Sequence, residues 1–204
     1  MTDGARIAVV DHGAGNLVSI AQGLEQAGAV VSVISHPGGL RAADGIVLPG
    51  VGAMASVMDG IRRGGFSAAL RESRIPLLGI CVGMQVLFET GDEDDATGLG
   101  ILPGHVSRLV APRLPHIGWN DLELREDPLW RGIGEAPTVY FVHSYAPVCD
   151  DELVIARSDH GTPFVAAVRR GAVSGTQFHP ERSGAVGLRI LSNFVAECRV
   201  SVPT

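Results

Sequence analysis

The chain has 204 residues, of which 46% are hydrophobic and 19% charged, and its formal net charge is -6. This balance supplies a sizeable core and argues against intrinsic disorder, while the negative charge argues against a nucleic-acid partner, which normally meets a basic face. All sixteen basic residues are arginine. A Schiff-base lysine and the lysine of a phosphate-binding P-loop are therefore both excluded.

Length and composition predict a single domain over residues 1–204. No apolar run approaches the ~20 residues of a membrane span, so no membrane partner is expected. The first eleven residues lack the basic-then-apolar pattern of a secretory leader. Three cysteines are too few and too scattered for a disulfide framework or a zinc knuckle: Cys81, Cys149 and Cys198. We expect a protein of the reducing cytoplasm.

The first half of the chain alternates short apolar runs with helical patterns. Strands are predicted at 6–11, 29–34, 45–49 and 76–80. A first helix is indicated by apolar residues at helical spacing, and further helices are predicted at 53–74 and 82–89. Apolar strands that alternate with helices predict an α/β fold whose mostly parallel central sheet is flanked by helices on both faces.

The second half has a different pattern. Residues 90–100 are acidic and contain glycine, which predicts a loop. Shorter strands with polar alternation follow and predict antiparallel pairing, namely HVSRLV, DLELRE, TVYFVHSY, LVIARS, FVAAVRR and AVSGTQF. The last helix has one apolar face, which includes Cys198, and Ser183 is its predicted N-cap. Cys198 is therefore predicted to be core.

Cys81 lies between two glycines, in Gly79-Ile80-Cys81-Val82-Gly83, where a predicted strand meets a predicted helix. Gly-x-nucleophile-x-Gly is the pattern of a nucleophile elbow, a turn so tight that side chains on either side would collide. A helix N-terminus favours a thiolate, and the Val82 N–H would point at the oxyanion of an acyl intermediate. A buried, inert cysteine between packing glycines fits the same residues.

A cysteine nucleophile needs a base, and the base needs an orienting group. The stretch GTQFHPE (175–181) offers His179 and Glu181, which point the same way if the segment is extended. Because these residues lie far from Cys81 along the chain, only tertiary structure can join them. A surface His-Pro turn and a Cys/His/Glu zinc site are the alternatives for the same residues.

Two glycine-containing stretches follow predicted strands. LPGVGAM (48–54) presents backbone N–H groups that suit a phosphate or an oxyanion, and it is equally explained as a tight turn that needs Gly50 and Gly52. DHGAGNL (11–17) begins like a dinucleotide fingerprint, but Val18 occupies the third glycine position. No acidic residue follows ~20 positions on, so we reject dinucleotide binding.

Taken together, GICVGMQ (79–85), QFHPE (177–181) and LPGVG (48–52) resemble the class I, triad-type glutamine amidotransferases. DHGAGN (11–16), PHIGWN (115–120) and YFVHSY (140–145) narrow the resemblance to the amidotransferase subunits of imidazole glycerol phosphate synthases. It runs from Arg6 to the final helix. His12 stands where the family often has an aromatic or other residue, and the loop 90–98 varies in length among its members.

The resemblance implies a flavodoxin-like fold without cofactor or metal, and hydrolysis of L-glutamine to glutamate and ammonia. It also implies a heterodimer with a barrel-shaped cyclase subunit. The cyclase uses the ammonia on a phosphoribulosyl-formimino aminoimidazole carboxamide nucleotide. The products are imidazole glycerol phosphate, a precursor of histidine, and an aminoimidazole carboxamide ribotide.

The resemblance also implies a role for individual residues. Cys81 is the nucleophile, His179 the acid and base, and Glu181 the group that orients His179. The oxyanion hole is formed by Val82 N–H and a backbone N–H of the Pro49–Gly52 strand, at Val51 between Gly50 and Gly52. The amino-acid end of glutamine is bound by Gln85, Glu93, Ser144 and Tyr145. The cyclase is faced by Asn16, Trp119, Asn120, Tyr140 and Arg182.

Several alternatives stay open. Glu93 could be a solvated acid of the loop, and Trp119 a core residue. Glycines on both sides of Val51 predict a peptide that rotates at low cost on activation by the partner. The chain could instead serve anthranilate or pyridoxal-phosphate synthesis, against which PHIGWN argues. It could also be a flavodoxin-like module that binds a ligand or senses redox state through Cys81, and His179 and Glu181 would then have no coordinated role.

Overall fold

The computed structural model describes residues 4–200 of the chain, apart from the side chain of residue 200. Its strands are β1 (Arg6–Val10), β2 (Val30–Ile34), β3 (Gly45–Gly50), β4 (Leu77–Cys81), β5 (Thr90–Gly91), β6 (Ala96–Thr97), β7 (His105–Arg108), β8 (His116–Asp121), β9 (Glu123–Leu124), β10 (Thr138–His143), β11 (Tyr145–Val148), β12 (Val154–Asp159), β13 (Pro163–Arg170) and β14 (Val173–Thr176). Its α-helices are α1 (Leu17–Gln26), α2 (Met54–Arg63), α3 (Phe66–Glu72), α4 (Val82–Gln85) and α5 (Gly184–Val200).

The central sheet has eight strands in the order β2-β1-β3-β4-β14-β13-β12-β9. Pairing is parallel from β2 to β14 and antiparallel from β14 to β9. Every residue of β3 and β4 is buried, as expected for apolar strands covered on both faces. The predicted α/β class with a mostly parallel sheet is confirmed.

Strand β14 joins the two halves of the chain. The sequence predicts it only as one of the antiparallel strands, and it does pair antiparallel with β13, but it also pairs parallel with β4. Thr176 lies opposite Ile80 in this register, while Gly50 of β3 lies opposite Cys81. The residues that follow β3, β4 and β14 therefore meet at one edge of the sheet, because the carboxyl ends of parallel strands point the same way.

Two predicted helices are wrong in extent. The stretch 53–74 forms α2 and α3, which are separated at Gly64–Gly65, where Gly65 has a φ of 74°. A left-handed residue ends a helix, and glycine adopts it without steric cost. The stretch 82–89 is helical only to Gln85. Beyond it, the carbonyls of Val86 and Phe88 accept hydrogen bonds from residues 99 and 100 instead.

The smaller sheets lie in the second half. Most of β8 lies in PHIGWN, which the sequence does not predict as a strand, and β8 pairs antiparallel with β10. A four-stranded sheet has the order β11-β7-β5-β6. The predicted loop 90–100 contributes β5 and β6, two residues each, on either side of a short 3-10 turn at Glu93–Asp95.

Within residues 4–200, no helix has both the length and the apolar character needed to cross a membrane.

The last helix packs against the rest of the core. Cys198 has no exposed surface, which confirms it as a core residue. Ser183 stands directly before α5, and its carbonyl accepts a hydrogen bond from Gly187 N. Its hydroxyl, however, donates to the carbonyl of His179 and accepts from Tyr140 N. The side chain predicted to cap α5 therefore ties the segment around His179 to β10.

Candidate active site

Cys81 stands on a strained turn between β4 and α4. Its φ is 55° and its ψ is -114°, a conformation that residues with a side chain rarely adopt. Such strain persists only where the surroundings enforce it, and it concentrates at functional sites. The geometry is that of a nucleophile elbow, with the side chain at the carboxyl edge of the sheet and Val82 as the first helical residue.

The glycines around Cys81 are needed for close backbone packing. A Cβ on Gly79 would lie 2.6 Å from Gly83 O and 2.7 Å from Met84 Cα. A Cβ on Gly83 would collide with the carbonyl of Leu48 in β3, and one on Gly50 would lie 2.8 Å from Val82 C. The sequence pattern predicts collisions within the elbow only. At Gly83 the obstacle is instead the backbone of the neighbouring strand.

His179 and Glu181 form a buried pair beside the elbow. Nδ1 of His179 lies 2.8 Å from Oε1 of Glu181, and the two side chains are 6% and 1% exposed. An extended segment predicts the contact, but Glu181 belongs to a 3-10 turn, Pro180–Arg182, that follows an extended His179. Because a carboxylate accepts, Nδ1 carries the hydrogen of this bond. Nε2 is then the ring nitrogen that faces Cys81.

The charge state of His179 is set by opposing effects. Burial lowers the pKa of His179, but the interactions with Cys81 and Glu181 outweigh it and raise that pKa to about 10. Nε2 has no hydrogen-bond partner among residues 4–200. The imidazole and the thiol therefore lie side by side without a formed hydrogen bond between them. Such contacts often tighten only when substrate binds.

A cavity of about 450 Å³ opens over the Cys81 thiol, a size typical of small-ligand sites. Most of the residues predicted to act in the site line it, namely Val51, Gly52, Cys81, Val82, Gln85, Glu93, Ser144, Tyr145 and His179. Glu181 stands behind His179, and Gly50 packs under the elbow. A wider depression of about 800 Å³ lies around residues 124–131 and carries no such nucleophile and base.

The segment after β3 forms one wall of this cavity. Val51 is 41% exposed, and Gly52 has a φ of 84°. The buried His12 lies behind the segment, with its Nε2 2.7 Å from the carbonyl oxygen of Pro49. Since a carbonyl only accepts, Nε2 carries the hydrogen. No role is predicted for His12 from the sequence, and its place in DHGAGN is the only signal for it.

A second wall contains two of the predicted glutamine contacts, Gln85 and Tyr145. Gln85 Nε2 donates to the carbonyl of Tyr145 at 3.0 Å, and His143 Nδ1 donates to the same oxygen at 2.9 Å. Both lone pairs of that carbonyl are therefore used within the protein. Glu93 is half-buried and accepts from Met54 N, the first residue of α2, at 3.0 Å. Glu93 therefore contacts the start of α2, and its contact with glutamine stays a prediction.

Two neutral histidines support this wall. His143 accepts at Nε2 from Nδ1 of His116, 3.1 Å away, and His116 stacks on His160 with ring centroids 4.1 Å apart. Burial lowers the pKa of His143 to about 3 and that of His116 to about 4. Their motifs, PHIGWN and YFVHSY, carry the family resemblance, but the sequence predicts no role for either histidine.

Three of the five predicted interface residues form one surface cluster. Trp119 is 54% exposed, so the core alternative is wrong, and its ring meets Tyr140 edge to face at 5.9 Å. The Arg182 guanidinium lies 4.9 Å from the Tyr140 ring centroid. Asn120 instead donates to the carbonyl of Asp159 at 2.6 Å, and Asn16 caps α1 by accepting from Ser19 N.

Residues 4–200 contain no group of three or more His, Cys, Asp or Glu side chains placed to hold a metal ion. The arrangement around Cys81 is instead that of a nucleophile, a base and an orienting carboxylate, which serves acyl transfer. An amide carbonyl held above Cys81 would meet the thiol, the imidazole of His179 and the backbone N–H of Val82.

Comparison with known proteins agrees with this chemistry. Residues 8–198 match the family model of class-I glutamine amidotransferases. The imidazole glycerol phosphate synthase subunit HisH of Synechococcus sp. strain JA-3-3Ab is 52% identical over an alignment of 200 residues, and the alignment covers 93% of each chain. The subunit of the same name from Bacillus cereus strain B4264 is 45% identical over 194 residues, covering 92% of this chain and 93% of that one.

Solved structures share the fold at lower identity. A glutamine amidotransferase crystal structure has a TM-score of 0.76 at 21% identity, covering 94% of this chain and 98% of that one. PurLQS from Thermotoga maritima has a TM-score of 0.74 at 21% identity, covering 95% and 98%. The family match and the near full-length relatives decide the family. The chain belongs to the class-I glutamine amidotransferases and, within them, to the HisH subunits of imidazole glycerol phosphate synthase.

Proposed function

We propose that this chain is the glutaminase subunit of an imidazole glycerol phosphate synthase. It hydrolyses L-glutamine to glutamate and ammonia and delivers the ammonia to a cyclase subunit, which forms imidazole glycerol phosphate and an aminoimidazole carboxamide ribotide. One observation carries the chemistry: a strained cysteine elbow shares a cavity with a buried imidazole that a carboxylate holds through Nδ1. The near full-length likeness to HisH subunits supports the pathway.

The first step is attack on the side-chain amide of glutamine. Nε2 of His179 holds the proton, because the pKa of this imidazole is raised to about 10, and the sulfur attacks as the thiolate and forms a bond to the amide carbon. The carbonyl electron pair moves to oxygen. Val82 N–H and a backbone N–H at Val51 stabilise the resulting oxyanion. Glu181 stays ionised, keeps Nδ1–H pointed at itself and stabilises the imidazolium.

Ammonia then leaves. His179 gives its proton to the amide nitrogen, the C–N bond breaks, and a thioester remains on Cys81. A water molecule attacks this thioester while His179 accepts its proton. The C–S bond breaks, the thiolate is released, and glutamate departs. Gln85, Glu93 and the backbone of Ser144 and Tyr145 hold the amino-acid end of glutamine through these steps.

The partner surface includes the cluster of Trp119, Tyr140 and Arg182, with Asn16 and Asn120 at its sides. Exposed aromatic and arginine side chains support this assignment, since they dominate binding energy at protein interfaces. We place the barrel-shaped cyclase on this face, in a heterodimer in which residues 1–204 act as one amidotransferase domain. A reducing cytoplasm suits its three free cysteines, Cys81, Cys149 and Cys198.

The decisive experiment compares nitrogen sources. The purified chain is combined with a cyclase subunit and its nucleotide, and product is measured with glutamine or with ammonium. We expect Cys81→Ala to abolish glutamine-dependent turnover and to leave ammonium-dependent turnover intact. Glutaminase activity that persists in Cys81→Ala contradicts the assignment of the nucleophile.

Two further measurements separate the alternatives. A diazoketone analogue of glutamine is expected to label Cys81 covalently, and His179→Ala is expected to lose the labelling. A ligand-binding or redox module would not be labelled in this manner. An amidotransferase of another pathway would deliver ammonia to the partner subunit for anthranilate or pyridoxal-phosphate synthesis rather than to the cyclase.

A further inference from the structure

A buried glutamine contacts the candidate nucleophile from the side opposite the cavity wall formed by β3. We infer that Gln177 is a further catalytic residue, which donates an amide hydrogen bond to the Cys81 sulfur and connects that sulfur through Gln85 to the glutamine site. The inference rests on the proposed function, because it assigns Gln177 to the same reaction.

The fold explains why Gln177 reaches the sulfur. Thr176, the last residue of β14, lies opposite Ile80 in the parallel register of β14 and β4. Gln177 directly follows β14 and Cys81 ends β4, so these two residues are neighbours at the sheet edge. Gln177 has no exposed surface. Its Nε2 lies 3.6 Å from Cys81 Sγ, a hydrogen-bond distance for a sulfur acceptor.

The orientation of both amides follows from the network. The carbonyl of Tyr145 can only accept, so the Gln85 atom 3.0 Å from it is the NH2 group. The same nitrogen lies 3.1 Å from the Gln177 side chain, which must therefore present its oxygen there. The NH2 group of Gln177 is then directed at Cys81. One backbone carbonyl thus fixes two side-chain amides, whose nitrogen and oxygen atoms are otherwise hard to tell apart.

This donor matters most when the sulfur is charged. The thiol can donate weakly to the carbonyl of Val142, 3.9 Å away, but the thiolate has no hydrogen to give. Once the proton has moved to His179, the Gln177 amide stabilises the anionic sulfur, because hydrogen bonds to ions are stronger than neutral ones. In the thioester the sulfur is neutral again. Gln177 therefore favours the charged sulfur both before attack and when the thioester breaks down.

The network also links the nucleophile to substrate binding. Gln85 lines the cavity and holds the Gln177 oxygen. Gln85 donates a hydrogen bond to the Gln177 oxygen, and this bond keeps the Gln177 NH2 group directed at the sulfur. If glutamine binding displaces Gln85, the hydrogen bond to the sulfur changes as well. Gln85 is thus a positioning residue for Gln177, in addition to its proposed contact with glutamine.

The test measures Cys81 reactivity directly. Gln177→Met keeps the side-chain length and removes the donor. We expect iodoacetamide to alkylate Cys81 in this variant about tenfold more slowly at pH 7. Gln85→Met keeps the Gln177 donor, so its effect on alkylation is expected to be smaller and its effect on KM for glutamine larger. The exposed Gln26→Met is the matched control and should behave as wild type.

Wild-type protein offers a second measurement that does not depend on folding of a variant. The side-chain NH2 signal of Gln177, followed by NMR, is expected to shift as Cys81 ionises and to stay constant in Cys81→Ala. The inference is overturned if Cys81 in a folded Gln177→Met variant is alkylated as fast as in wild type. It is also overturned if the NH2 signal does not shift when Cys81 ionises. Both readouts are independent of turnover. If the wild-type complex fails to use glutamine while alkylation depends on Gln177, the proposed function fails and the hydrogen bond stands.

Discussion

Glu181 holds His179 through a single hydrogen bond of 2.8 Å between Oε1 and Nδ1, and both side chains are buried. Because the contact is shielded from water, the carboxylate determines the tautomer and the orientation of the ring. We expect Glu181→Gln to lower kcat for glutamine hydrolysis by about 10²- to 10⁴-fold, as loss of an orienting carboxylate does in triads. Glu72→Gln on the exposed face of α3 is the control.

His179 makes stability depend on pH through its interactions with Cys81 and Glu181. The pKa of His179 is raised to about 10 from an ordinary value of 6.5. A raised pKa means that the folded state binds the proton more tightly, so this stabilisation is complete below pH 6.5 and is lost as the pH rises through about 10. The difference in unfolding free energy between wild type and Glu181→Gln should therefore be largest below pH 6.5. Denaturant titrations that give a constant difference up to pH 10 would contradict this.

The glycines of the elbow make a steric prediction. A methyl group on Gly83 would occupy the place of the Leu48 carbonyl, which can move only if β3 moves. We expect Gly83→Ala to destabilise the protein by about 3 kcal/mol, at the upper end of overpacking effects. Gly134→Ala is the matched control, because nothing lies within 4 Å of the place its methyl group would take. Equal denaturation midpoints for the two variants would refute the steric prediction.

A change at Gly52 tests the prediction that the peptide at Val51 rotates when the partner activates the protein. Proline at Gly50 or Gly52 is one way to uncouple activation, but Gly50 packs on the elbow backbone, so a change there disturbs Cys81 itself. Gly52 has a φ of 84° and Gly171 a φ of 58°, and neither has neighbours around its Cβ position. Alanine should cost about 1–2 kcal/mol at either site. Only Gly52→Ala is expected to change the stimulation of glutamine turnover by the cyclase and its nucleotide.

His143 predicts sensitivity to acid. Its pKa is lowered to about 3, so the unfolded chain takes up the proton first as the pH falls. The stability associated with this group is intact above pH 6.5 and declines towards pH 3. His143→Gln keeps an amide donor for the Tyr145 carbonyl and does not titrate. Between pH 4.5 and 6 the unfolding free energy of His143→Gln should fall less steeply with decreasing pH than that of wild type. The two slopes should differ by about 1.4 kcal/mol per pH unit. Parallel curves would exclude His143 as the source.

Trp119 tests the partner surface. We expect Trp119→Ala to weaken binding of the cyclase by about 2 kcal/mol, roughly thirtyfold in Kd, as for an aromatic residue at the centre of an interface. Calorimetric titration measures the effect. Alkylation of Cys81 in the isolated chain should be unchanged, because Trp119 lies outside the cavity. Val110→Ala, which alters another exposed side chain, is the control. Wild-type affinity in Trp119→Ala would place the interface elsewhere.

The sequence was sufficient where local pattern determines structure. The run of apolar residues identified β4, the flanking glycines identified the elbow, and QFHPE identified the base and its carboxylate. The paired Gly64–Gly65 signalled the break between α2 and α3, but helical periodicity across the pair masked it. Residues 86–88 are apolar and buried, which made them look like a continuation of α4. The carbonyls of residues 86 and 88 instead accept hydrogen bonds from residues 99 and 100.

Roles that depend on strand register could not be read from the sequence. Gln177 lies beside Cys81 only because β14 pairs parallel with β4, and the hydrophobic pattern does not specify the partner of a strand. His143 and His116 bond to each other because β8 and β10 place them opposite each other. The position of Asn120 is also decided by register, since adjacent strand residues point to opposite faces and Trp119 takes the exposed one.

The position of β14 has a consequence for the order in which the protein matures. The ribosome makes β1 to β4, and with them Cys81, long before it makes β14. Until β14 adds to the free edge of β4, the thiol has no imidazole, carboxylate or amide beside it, since His179, Glu181 and Gln177 all follow that strand. A nascent chain therefore carries a cysteine that lacks the groups proposed to activate it for attack on glutamine. Addition of β14 between β4 and β13 completes the central sheet and also assembles the active site. Labelling of Cys81 by a glutamine analogue therefore reports that the sheet is complete.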